Sequence, residues 1–202
     1  MCSVESSVKQ QFARVFRESD WRLFKKIADS YFRQAAFLLK HHVSVSHDLK
    51  LLARNSQKRL FIGVGTELVL KALYLKNGYA INRPESGNKT LKFPFALRDA
   101  VGQRLLEDET FQLGILIDHI EKVIVLNDSK TILKGLKIAK VFRNKEGHVV
   151  TSSHAFDPSN YRDIESALRE LYRGAFDEVI KVQFSLASNE KPVWQIRAKR
   201  CA

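Results

Sequence analysis

The chain has 202 residues, 45% of them hydrophobic and 28% charged, which suits one domain of ordinary size and excludes a disordered tail. Its net charge of +12 is uneven: residues 1–60 carry 12 basic and 5 acidic side chains, 61–130 carry 9 of each, and 131–202 carry 13 and 8. No run of about eighteen apolar residues occurs and the opening MCSVESSVKQQFARVF lacks the apolar stretch of a secretory signal, so no membrane span is expected and a cytoplasmic location is.

The first strong pattern covers residues 20–42, DWRLFKKIADSYFRQAAFLLKHH. Trp21, Phe24, Ile27, Ala28, Tyr31, Ala35, Leu38 and Leu39 recur at three- and four-residue steps, the period of a helix with one apolar face. Ser19 or Asp20 supplies an oxygen to cap its start. A weaker helical pattern over 5–17 precedes it. HHVSVSHDL then breaks the period, and a long helix is predicted from about 56 to 77, stopped by Gly78 in the left-handed position. Gly63 and Gly65 inside it cost roughly 1 kcal/mol each against Ala, a cost usually accepted where another helix comes close. Glu67 stands four residues before Lys71, the favourable order for a pair on one face.

Residues 79–94 are rich in turn formers and read as a loop, followed by a short helix over 96–107. DETFQLGILIDHIEKVIVLN predicts a third long helix capped near Asp108 or Thr110. DSKTILKGLKIAKVFRNKEG predicts a fourth, capped by Asp128 or Ser129 and ended by Gly147, with Ile132, Leu133, Leu136, Ala139, Val141 and Phe142 on its apolar side. HVVTSSHAFDPSN reads as irregular or briefly extended. A fifth long helix is expected from Ser159 or Asn160 to about 185, with Ile164, Leu168, Leu171, Ala175, Val179 and Val182 among its apolar positions. The predicted fold class is all-α: a bundle of four to five long helices in one domain over 1–185, with a short irregular basic tail over 186–202.

Cys2 and Cys201 lie at opposite ends of the chain with no CxxC partner, so neither a disulfide framework nor zinc is expected. HHVSVSH lacks the spacing of helical metal ligands, and no metal is expected there. GVGTEL lacks the third glycine of a dinucleotide loop, and no GxxxxGK[ST], GxSxG or HExxH occurs, so no cofactor is expected either.

RNKEGH, residues 143–148, carries chemistry of its own. Cutting RNA by its 2′-hydroxyl needs a base, a cation for the charge growing on the phosphate, and an acid for the leaving oxygen. Arg143 offers the cation as a planar fork of donors, and His148 titrates near neutrality as base or acid. On a continuous helix the two side chains would lie about 140° apart, so they converge only if the chain turns at Gly147. A second copy across a two-fold axis could complete such a site. About one Arg–His pair at this spacing is expected by accident in a chain with 15 Arg, so a solvated helix end remains the alternative reading.

An all-helical chain with Arg143, Asn144 and His148 after its fourth long helix resembles the HEPN superfamily. That family's motif is Arg, four to six residues, then His, often with a polar residue after the Arg. GTELVLKALYLKNGY, with Glu67, Lys71, Ala72 and Gly78, looks like the family's second helix. The likeness covers roughly residues 20–185. The resemblance implies a metal-independent endoribonuclease acting as a homodimer, with Arg and His of both copies lining one cleft. It also implies a toxin of a toxin–antitoxin system or an antiviral defence effector, with RNA and an antitoxin protein as partners. Carried over by position, Arg143 would stabilise the scissile phosphate, His148 would be base or acid, and Asn144 would orient either. Lys140 and Lys145 flank the motif and would bind RNA backbone; as ordinary solvated lysines they would need no partner. Glu67 would either face the site or pair with Lys71. Val150 stands where some members carry a modifiable Tyr, which puts that form of control in doubt. Other members have lost catalysis, which leaves the alternative of a non-catalytic HEPN-like module binding nucleotide, RNA or a partner protein.

Overall fold

Helix α1 (Trp21–Phe37) starts where the apolar period starts. In the computed structural model, which describes residues 6, 20–38, 49–85, 91–100, 104–146, 157–184 and 193–198, Asp20 caps it. Asp20 Oδ1 accepts from Arg22 N at 2.9 Å and Leu23 N at 3.1 Å, filling two donors that the first turn leaves open. The Leu23 N–H, and after it the Arg22 guanidinium, hold the Asp20 carboxyl below its usual range. The helix 5–17 expected from the sequence lies outside the described residues.

Helix α2 (Leu49–Lys76) is longer than predicted and is the backbone of the fold. It packs most extensively on α1, and both glycines sit at close approaches. A Cβ at Gly65 would stand 2.8 Å from the Phe32 ring, so α1 and α2 meet across a missing side chain. Gly78 ends the run at φ +78, as predicted.

The next stretch departs from the prediction. Residues 82–84 form β1 (Asn82–Pro84), paired antiparallel with β2 (Leu105–Thr110), where a loop and a short helix were expected. Among the described residues there, Leu97–Ala100 is helical, as a single 3-10 turn. Tyr74, Phe93 and Phe111 stack in a cluster, the last two with ring centroids 4.0 Å apart. Phe111 N also donates to Ile81 O at 2.8 Å. This packing draws the segment into a hairpin, and the helix-forming LLEDE pattern yields to backbone pairing. The third helix is shortened in consequence: α3 (Leu113–His119) has only two turns before tightening into the 3-10 turn Ile120–Lys122.

Helix α4 (Ser129–Glu146) starts where predicted; Gly147, expected to end it, lies outside the described residues. Asp128 Oδ1 accepts from Thr131 N at 3.0 Å, and this N–H holds the carboxyl below its usual range. Ile132, Leu136, Ala139 and Phe142 are buried between α2 and the helix that follows. That helix, α5 (Pro158–Phe176), begins earlier than Ser159 because Asp157 caps it and Pro158 suits the first turn.

Helix α5 also ends earlier than predicted. Asp177 turns left-handed at φ 56, and β3 (Glu178–Gln183) follows, pairing antiparallel with β4 (Val193–Ala198) from Glu178↔Ala198 to Gln183↔Val193. Ile180 and Val182 are buried while Val179 and Lys181 are exposed, the two-residue period of a strand. Residues 193–198 of the tail are therefore not irregular. Trp194 is buried against Phe32 and Tyr172.

Polar groups fasten this hairpin to the helices. Lys58 of α2 donates to Phe184 O, Glu165 of α5 accepts from Phe184 N, and Arg169 donates to Val182 O at 2.9 Å. Burial pushes the Lys58 ammonium down to about 7, against the pull of the Glu165 charge. On the other side of α1, Lys25 pairs with Asp29 at 3.0 Å and Glu178 at 2.8 Å, and Tyr172 donates to Asp29.

The protein is thus mostly helical: 67% of the described residues are helical, in five α-helices and the short 3-10 turns, and two small antiparallel sheets make it more than an all-α fold. No helix among the described residues is long and apolar enough to cross a membrane.

Candidate functional site

Helix α4 is the most densely cationic of the described α-helices. It carries Lys130, Lys134, Lys137, Lys140, Arg143 and Lys145 against one acid, Glu146. Because Ile132, Leu136, Ala139 and Phe142 take its inner face, the charges fall to the outer face and flanks. Lys134 is tied to Asp163 of α5 at 2.8 Å. The last turns of α4 face α3, and a groove of about 390 Å³ opens between them. Gln112, Leu113, Gly114, Ile115 and Asp118 line it from α3 and the residue before it; Lys140, Arg143 and Asn144 line it from α4. That volume lies in the range of small-ligand sites.

Two glycines place the two cations. A Cβ at Gly63 of α2 would stand 2.5 Å from Arg143 Cβ and 2.6 Å from Arg143 N and Cα. Only a glycine lets α4 lie so close to α2, and the close approach brings Arg143 beside Glu67, one turn further along α2. Arg143 Nε donates to Glu67 Oε2 at 3.0 Å, while the Arg143 side chain stays 46% exposed. Gly114 of α3 does the same for Lys140: a Cβ there would stand 2.8 Å from Lys140 Nζ. The ammonium therefore lies over bare backbone at the groove wall.

Three of the five residues singled out in the sequence, Lys140, Arg143 and Asn144, meet in this groove. Lys145 is exposed on α4 outside its lining. His148 and Gly147 lie outside the described residues. Glu67, which the sequence left between facing the site and pairing with Lys71, pairs with Lys71, its Oε1 taking Lys71 Nζ at 2.8 Å; it is not part of the groove lining and touches the groove only through Arg143. His119 is structural, with its ring edge against Phe93 and Nδ1 3.1 Å from Ile115 O.

Gln112, Gly114, Ile115 and Asp118 were not foreseen. Nothing in FQLGILIDHI marks them except that Gly114, Ile115 and Asp118 share one helix face. Among the described residues, no group of three or more His, Cys, Asp or Glu is arranged to hold a metal ion. No family model, curated protein or solved structure matches the chain.

Chemically, the groove offers a guanidinium, an ammonium and an amide on one wall and a carboxylate on the other. The first three donate hydrogen bonds and suit phosphate oxygens. The carboxylate needs a donor on the ligand.

Proposed function

We propose that the chain is an RNA-cutting protein of HEPN type that works without a metal ion, with this groove as its phosphate site. The observation that carries the proposal is the seating of Arg143: close to α2 over Gly63, aimed by Glu67, and sharing a groove with Lys140 and Asn144. A guanidinium held in advance stabilises charge on a phosphate without reorganising at the moment of reaction.

In the proposed reaction the ribose 2′-oxygen attacks the adjacent phosphorus and the bond to the 5′-oxygen breaks. The 2′-proton passes to a base, and an acid returns a proton to the leaving 5′-oxygen. The products are a 2′,3′-cyclic phosphate and a free 5′-hydroxyl. Arg143 binds the phosphate oxygens as negative charge grows, Lys140 adds a second cation, and Asn144 orients the phosphate or the imidazole. His148 serves as base or acid. Lys145 extends the cationic surface along the RNA backbone. The site is proposed to be completed by a second copy of the chain. Its proposed setting is a toxin–antitoxin or defence system, with an antitoxin protein as a further partner.

A second reading has its own support. With Asp118 in the groove and Glu67 behind Arg143, the local positive charge is partly cancelled. This favours a single nucleotide or short RNA held without cleavage, as in a non-catalytic HEPN-like module.

The deciding experiment incubates labelled single-stranded RNA and tRNA with the protein in EDTA, beside Arg143→Ala and His148→Ala. Cleavage by the unaltered protein alone, leaving 2′,3′-cyclic ends, is the expected result. Binding without cleavage by any of the three transfers the weight to the second reading. Equal cleavage by all three rejects both residue roles.

A further inference from the structure

Asp118 brings a carboxylate into a groove whose other charged groups, Lys140 and Arg143, suit an anion. Two negative groups repel, and a donor on the same ligand would offset the cost of a carboxylate beside a bound phosphate. Its position narrows which donor. Gly114 and Asp118 are four residues apart on α3, hence one above the other on one face and about 6 Å apart along the axis. Lys140 Nζ lies against Gly114, 2.8 Å from where its Cβ would be. The carboxylate is therefore set about one helical turn from the ammonium. Ile115 lies between them in sequence on the same face and gives that stretch of the groove an apolar flank.

In a nucleotide, the amino groups of the bases lie on the far side of the sugar from the phosphate, beyond one turn's reach. The ribose 2′-hydroxyl lies beside the 3′-phosphate, and DNA has no donor there. We infer that Asp118 accepts a hydrogen bond from the ribose 2′-hydroxyl of the nucleotide whose phosphate sits at Lys140 and Arg143, and so makes the groove select RNA over DNA. The inference rests on the groove being the RNA site proposed above. The hydroxyl so held is the one that attacks the phosphorus in the proposed cleavage, so Asp118 touches a reacting atom; the selectivity inferred for it is read in binding, apart from any proton transfer by His148.

The test measures binding of one single-stranded sequence, made as RNA and as DNA, to the full-length chain carrying His148→Ala so that the RNA survives. RNA is expected to bind roughly tenfold or more tighter than DNA, the scale of one hydrogen bond to a charged group. Adding Asp118→Ala should erase that preference by weakening RNA, while DNA binds as well as before or better because a repelling charge is gone. Asp118 is exposed, so the fold tolerates the change; an unaltered circular dichroism spectrum checks this. A preference that survives Asp118→Ala overturns the inference and leaves the RNA site standing. RNA and DNA tightening together also overturns it, because Asp118 would then act through charge alone. Failure of either nucleic acid to bind the His148→Ala chain removes the RNA site itself, and the inference with it.

Discussion

Glu67 holds two cations from two helices: Oε2 accepts from Arg143 Nε of α4 at 3.0 Å and Oε1 from Lys71 Nζ of α2 at 2.8 Å. The Glu67 and Lys71 side chains are 13% and 7% exposed, whereas that of Arg143 is 46% exposed. Stability should therefore depend on the Lys71 contact and function on the Arg143 contact. Glu67→Ala leaves a nearly buried ammonium unpaired and should destabilise by about 1–3 kcal/mol. Glu67→Gln keeps acceptor and shape and should lose less stability, yet should still lower RNA cleavage by freeing Arg143. Thermal unfolding and the cleavage assay together check this; equal melting temperatures for Glu67→Ala and the unaltered protein would refute the buried-pair account.

The two glycines beside the groove should respond differently to the same change. Gly63→Ala puts a methyl group into the backbone of α4, which cannot move aside cheaply. Overpacking should outweigh the helix-propensity gain and leave a net loss of about 1–2 kcal/mol, along with loss of Arg143 placement. Gly114→Ala meets only the flexible end of Lys140. It should leave stability within about 1 kcal/mol of the starting value while weakening RNA binding. Denaturant titration paired with RNA binding separates the two; a Gly63→Ala protein as stable as the original would show that α4 shifts freely.

Lys58 makes stability depend on alkaline pH. Its folded value of about 7 lies below its ordinary 10.5, so between these limits the unfolded chain binds more protons than the folded one. Stability from this group therefore rises as pH goes from 7 toward 10.5 and is flat below 7, with a slope of at most about 1.4 kcal/mol per pH unit. Lys58→Met should abolish that rise. Urea unfolding of both proteins at pH 7, 8.5 and 10 reads the difference, and parallel curves would show that Lys58 does not titrate in this window.

The capping aspartates set the acid side. The Ser159 N–H, and after it the Ser159 hydroxyl, hold the Asp157 carboxyl below its usual 3.8. Its stabilising effect is present above that value and is lost as pH falls through the lowered folded value. Asp157→Ala should melt at a lower temperature than the unaltered protein at pH 6, and the gap should narrow at pH 3. A gap of the same size at both pH values would place the effect elsewhere than in the cap.

What could be read from the chain alone was local. The three- and four-residue period located α1, α2 and α4, because burying one stripe of a helix leaves that pattern whatever the stripe packs against. Asp20, Asp128 and Gly78 marked ends because capping chemistry involves only the nearest turn. Gly63 and Gly65 announced close approaches without saying to what. RNKEGH drew attention to Arg143, Asn144 and Lys140, which line one groove.

The errors share a cause. EVIKVQF continues the apolar run of α5 closely enough to be read as helix, yet its residues alternate, and Val193–Ala198 provides the partner strand. LLEDET has the composition of a helix, but Asn82–Pro84 pairs with it. Strand pairing joins distant residues, and a one-dimensional pattern does not record its partner.

The groove depends on tertiary structure in the same way. Glu67 and Arg143 are 76 residues apart in sequence, and Gly114 and Asp118 share a groove with Lys140 of another helix. Periodicity says which face of a segment is buried. Only the packing of α2, α3 and α4 decides which charges then share a space, because that depends on where side chains are small enough for backbones to meet.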